Sequence, residues 1–196
     1  MKSFNKPAKT FAEQIELLKA RGMQFANEQD AQFYLEQINY YRLGAYWLPF
    51  EHTHSPHCFK PDTSFEQVLE LYVFDRELRL LILDAIERLE VAVRTRFAYE
   101  LAHRHGCHAY LQGQYFKPTF RWQSLLESLK TEVSRADEVF IEHYKRTYDD
   151  PELPPIWATC EVMSFGQLSK WYQLLAPIQT RKAISSHFDC DEKQFE

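Results

Sequence analysis

Residues 64–106 read SFEQVLELYVFDRELRLLILDAIERLEVAVRTRFAYELAHRHG, and this stretch decides the fold. Ser64 followed by Gln67 has the form of a capping box, in which a hydroxyl accepts an unpaired N–H while the Gln side chain reaches back to the cap. No Pro or Gly interrupts the run before Gly106, the first plausible stop. Leu71, Leu78, Ile82, Ala85, Leu89 and Val93 recur at helical spacings, so the pattern predicts one long helix, or two nearly continuous ones, with Ile82 and Leu89 in the core. Arg96 and His103 extend the same line. Two helical turns separate them, about 10.5 Å along the axis. A stripe that turns from apolar residues to a cation and an imidazole is either reaching solvent or entering a functional cleft.

The composition agrees with helix. Five glycines against fifteen phenylalanines and eleven tyrosines, with long Leu/Glu/Lys/Arg stretches, predict an all-α protein, and 196 residues suffice for one substantial core. Lys2, Asn5, Lys6 and Lys9 precede a polar helix and do not resemble a signal peptide. No apolar run approaches the about 18 residues of a membrane span. The four cysteines, Cys58, Cys107, Cys160 and Cys190, form no C-x-x-C pair and read as reduced thiols of a cytoplasmic protein. The net charge of −5 excludes a generally basic nucleic-acid binder, but residues 91–147 carry nine Lys/Arg against six Asp/Glu. A local positive patch can still hold a polyanion.

Elsewhere the chain alternates helices and breakers. Thr10 and Glu13 form another capping box, before a first helix that stops at Gly22, and a second helix starts near Asn27. Residues 38–50 are densely aromatic and read as core, with a base-stacking platform as the alternative. After a connection over residues 106–119, residues 121–148 predict one long or two consecutive helices. Pro154-Pro155 opens the next helix, and Ser164 with Gln167 caps another that Pro177 ends. The pattern is still running at Phe188 and Phe195, as though the native chain continued past Glu196.

His52, His54, His57 and Cys58 fall in a Pro-containing stretch that reads as a solvated loop. Zinc could take ligands from it, but structural sites usually draw pairs from two separated segments, and the spacing to His103, His105, Cys107 and His108 matches no zinc motif. No metal and no cofactor is expected.

Five ordered segments together carry a resemblance: residues 38–50 (INYYRLGAYWLPF), 65–79 (FEQVLELYVFDRELR), 86–96 (IERLEVAVRTR), 140–148 (FIEHYKRTY) and 154–168 (PPIWATCEVMSFGQL). They resemble the Abi-like (AbiD/AbiF-type) abortive infection family of bacterial phage-resistance proteins, which is similar to HEPN-type proteins. The resemblance implies a HEPN-like helical bundle over residues 61–196, with residues 1–60 as an N-terminal helical extension that carries the aromatic segment. HEPN ribonucleases bear an Arg, a short gap and a His, and Arg96 with His103 fits that order; Phe97 stands where many active members have a polar residue.

The resemblance further implies a metal-independent endoribonuclease toxin. Arg96 and His103 would be catalytic, Arg94, Glu100 and Arg104 would contact RNA, and two protomers would share one cleft. RNA supplies its own nucleophile, so an imidazole for proton transfer and a guanidinium for the phosphate cover the main requirements. Expected partners are RNA, a second copy of the chain and a neutralising RNA or protein, with no membrane. Three other readings compete. Arg96 can simply pair with Glu100 one turn on, with His103 complementing the helix dipole. The chain can be a non-catalytic RNA-binding or protein-interaction bundle, or a structural zinc protein.

Overall fold

The computed structural model describes residue 3, residues 7–118 and residues 120–195; Lys2, Asn5, Lys6, Thr119 and Glu196, which entered the expectations above, lie outside them. Among the described residues the protein is predominantly α-helical, with one two-stranded antiparallel sheet. Two compact units divide at Leu83/Asp84, inside the longest helix.

The first unit contains α1 (Phe11–Ala20), α2 (Glu28–Gln37), α3 (Tyr40–Trp47), β1 (Glu51–His54), β2 (His57–Phe59) and the first half of α4 (Phe65–His105). Both expected boxes form: Glu13 N donates to Thr10 Oγ1 at 3.3 Å, and Gln67 N donates to Ser64 Oγ at 3.2 Å while Ser64 N donates to Gln67 Oε1 at 3.0 Å. Asn27 caps α2 by accepting from Gln29 N at 2.9 Å. Gly22 leaves α1 with φ +97°, a conformation that costs other residues backbone strain. Leu18, Leu35, Leu43, Trp47, Phe59 and Phe65 fill this unit's core. The aromatic segment is divided: Trp47 is buried with Tyr40 edge-on at 4.8 Å, whereas Tyr41 is 84% exposed.

The second unit takes the remainder of α4, then α5 (Phe120–Arg135), α6 (Val139–Thr147), α7 (Ile156–Val162), α8 (Phe165–Leu174) and α9 (Ile178–Ser185). Its core is built on Phe97, Leu101, Tyr110, Leu129, Ile156 and Trp171. Pro155 stands at the N-cap of α7, and Ser164 and Gln167 form the expected box at α8. Pro177 ends α8 as expected, and it also opens α9, because a proline before a first turn withdraws no needed N–H. Gly106, at φ +95°, terminates α4 with its N–H on Ala102 O at 2.9 Å.

Two expectations are corrected. α4 runs unbroken for 41 residues, about 60 Å at 1.5 Å per residue, but its middle is not core. Ile82 is 48% exposed, Leu89 43% and Leu78 42%, while Phe65 and Val68 at one end and Val93, Phe97 and Leu101 at the other are buried. Periodicity identifies a helix face and not what covers it; Leu81, Leu83, Ile86 and Val91 are exposed too, so the apolar character continues around the helix. The His-rich stretch is also not a loop. It is a hairpin, in which His54 pairs with His57 and Thr53 with Cys58. No helix among the described residues is long and apolar enough to cross a membrane.

Candidate functional site

Residues 96, 99, 100, 103 and 104 stand three and four apart, which places their side chains next to one another on a helix surface. Phe97, Ala98 and Leu101, interleaved with them, are buried in the second core and fix the azimuth of this face. Position 97, where a polar residue would extend the site, is thus committed to packing.

Two contact chains run along the strip. Glu100, whose side chain is only 6% exposed, lies between two cations: Arg96 Nη2 reaches Oε1 at 2.6 Å and Arg104 Nε reaches Oε2 at 2.6 Å. The pairing of Arg96 with Glu100 expected from their spacing is therefore present. Alongside it, the Arg96 guanidinium carbon sits 5.4 Å from the Tyr99 ring centroid, a cation–π distance, and the Tyr99 ring stacks on His103 at 4.0 Å and 28°. Arg96 Nε is buried without a hydrogen-bond partner among the described residues, an unmet donor beside the ion pair.

The imidazole of His103 has a defined orientation. Its Nδ1 lies 3.0 Å from Tyr99 O, and because a carbonyl only accepts, Nδ1 carries the hydrogen. In the neutral ring the lone pair then resides on Nε2. The side chain is exposed, so this nitrogen is available for proton transfer.

Arg94 does not join the strip. It is buried, and its guanidinium donates to the carbonyls of Cys160 and Met163, the latter at 2.9 Å, and to Glu90. Those bonds tie α4 to the end of α7, and the expectation that Arg94 contacts RNA is replaced by this structural role. His105 also turns inward, with Nε2 2.8 Å from the hydroxyl of Thr180 and its ring tilted over Tyr115 at 4.5 Å; burial, then the charge of Arg104, lowers its pKa. Tyr99 is not among the residues expected at the site, although an aromatic three residues after an Arg and four before a His is the spacing that joins both on a helix. Neither a cavity of about 1190 Å³ near Tyr40 and Trp47 nor a groove of about 610 Å³ beside His108 and Tyr144 counts Arg96 or His103 among its lining.

A comparison with protein families matches residues 33–196 to one described as "Abi-like protein". Searches of the curated proteins and of the solved structures gave no significant match.

Proposed function

Because the chain belongs to the Abi-like protein family, whose role is abortive infection in phage defence, we propose that it acts there as a metal-independent endoribonuclease with Arg96 and His103 as its catalytic pair. The observation that carries this reading is the joined strip Arg96–Tyr99–His103, which offers a guanidinium and an oriented, exposed imidazole on one face. His103 Nε2 takes the proton of a ribose 2′-OH as that oxygen attacks the adjacent phosphorus. Arg96 holds the phosphate while negative charge grows on its oxygens. Glu100 restrains Arg96 and Arg104 from below and is itself too buried to meet RNA.

One imidazole serves one proton transfer at a time, and the leaving 5′-oxygen needs a proton of its own. A second copy of the chain supplies a second His103 when the two strips face one cleft. Uncovered apolar side chains on the strip's own part of α4, including Ile86, Leu89 and Val91, support such pairing by offering surface that gains from leaving water.

The test is cleavage of RNA by purified protein in EDTA. The expected products carry 2′,3′-cyclic phosphate ends and are absent with His103→Ala, whose thermal midpoint matches the wild type. A second reading, a non-catalytic RNA-binding or protein-interaction bundle, has the Arg96–Glu100 pair in its favour, since that contact occupies part of the guanidinium. RNA binding with no cleavage by either form would select it.

A further inference from the structure

The hairpin of the first unit gathers three potential metal ligands, His54 and His57 of the histidine-rich stretch and Glu51, which the sequence pattern did not join to them. Glu51, at the start of β1, has a side chain with no exposed surface, and its two oxygens face His54 Nδ1 and His57 Nδ1, the second at 2.9 Å. The three donor atoms all lie within 4.8 Å of one another. We infer that Glu51, His54 and His57 form a binding site for a divalent transition-metal ion of the zinc type.

A local irregularity builds this cluster. Along a regular strand, residues three apart point to opposite faces, so Glu51 and His54 would diverge. Here Glu51 pairs with Phe59 and Thr53 with Cys58, two steps on β1 against one on β2, which makes His52 the extra residue of a bulge. The bulge turns Glu51 onto the face of His54. His57, directly opposite His54, shares that face.

Buried Phe59 anchors the hairpin, with its N–H on Arg21 O at 2.8 Å, while Lys60 Nζ holds Pro49 O at 2.7 Å.

The donor set suits the ion. Two imidazole nitrogens and one carboxylate oxygen are borderline-to-hard ligands of the kind zinc takes, and three protein ligands leave a fourth position for water. Bonds of about 2.0–2.1 Å in a tetrahedron put neighbouring donors about 3.3 Å apart, so only small ring rotations are needed. The imidazoles can make them, since the side chains of His54 and His57 are 65% and 45% exposed, while the enclosed carboxylate stays fixed. A buried carboxylate asks for positive charge, and a bound divalent cation provides it. Cys58, opposite Thr53, belongs to the other face of the hairpin and is not a ligand.

The experiment is calorimetric titration of zinc ion alone into full-length protein stripped with chelator and dialysed free of it. One ion per chain is expected, with a rise in thermal midpoint on saturation. His54→Asn and His57→Asn alter exposed positions, and each should weaken binding by more than the about 10–100-fold typical of losing an outer-shell partner, with an unchanged far-ultraviolet dichroism spectrum. Cobalt ion should give the visible absorption of a tetrahedral complex in wild type only. No stoichiometric uptake by wild type, undiminished uptake by the His54→Asn/His57→Asn double variant, or loss of binding on Cys58→Ser would overturn the assignment. RNA cleavage in EDTA is unaffected by any of these outcomes, because the proposed catalytic pair uses no metal.

Discussion

Tyr99 and His103 stack ring on ring with centroids 4.0 Å apart, and the same Tyr99 contributes the carbonyl that faces His103 Nδ1. One residue therefore sets both the plane and the tautomer of the imidazole, the latter through its main chain. Tyr99→Ala keeps the carbonyl and removes the stack. Its expected effect is a fall in cleavage rate, while Tyr99→Phe, which keeps the ring, restores the rate. Single-turnover rates of both variants measure this.

Arg96→Lys should be as damaging to cleavage as Arg96→Ala. A lysine supplies a point charge but neither the fork that grips a phosphate through two bonds nor the flat face that lies over Tyr99. Initial rates on a common RNA substrate would test it; near-wild-type activity in the lysine variant would reduce Arg96 to a positive charge.

Arg94 should behave as a fold residue. Arg94→Ala removes the guanidinium from the Met163 carbonyl and leaves the Cys160 carbonyl only the N–H of Met163 at 3.3 Å, so the loss of stability should be about 2–4 kcal/mol, read as a lower denaturant midpoint. RNA affinity of the folded fraction should not change.

Two leucines of α4 should separate the inner and outer parts of the helix. Leu101 is fully buried, and Leu101→Ala should cost about 2–5 kcal/mol. Leu89 is 43% exposed, so Leu89→Ala should stay within about 0.5 kcal/mol in dilute monomer and act instead on self-association. Sedimentation equilibrium across a concentration series would distinguish the two effects.

His105 links stability to pH. Burial depresses its folded-state pKa below the ordinary value of 6.5, so the folded protein binds this proton less readily than the unfolded chain. Its contribution is present above pH 6.5 and is lost as the pH falls from there through the folded-state value. His105→Gln should flatten that part of a denaturant-midpoint curve, and an unchanged slope would show that another group governs it.

The sequence revealed most of the helical framework because caps and breakers are local signals. Thr10/Glu13, Asn27, Ser64/Gln67, Ser164/Gln167 and Gly106 act on backbone groups within a turn of themselves, and each appears where the pattern put it. Covering is not a local signal, so Ile82 and Leu89 read as core although nothing else among the described residues buries them. The hairpin escaped because its register depends on a bulge at His52 that alternation does not encode. At the candidate site, spacing sufficed to place Arg96, Glu100, His103 and Arg104 side by side, but the inward turn of Arg94 depends on carbonyls 66 and 69 residues away.

The Arg96–Glu100–Arg104 chain has a consequence for ion release. With one carboxylate between two guanidiniums, the group presents a single net positive charge to solvent. A strand of RNA laid on it therefore displaces few condensed cations, and the logarithm of affinity should fall with the logarithm of salt at a slope of about −0.7, the increment for one neutralised phosphate on a single strand. Glu100→Gln unmasks the second guanidinium and should steepen that slope to about −1.4. If the strip meets RNA as proposed, the buried glutamate acts as a counterion the protein carries with it and halves the salt dependence that two unmasked guanidiniums would give.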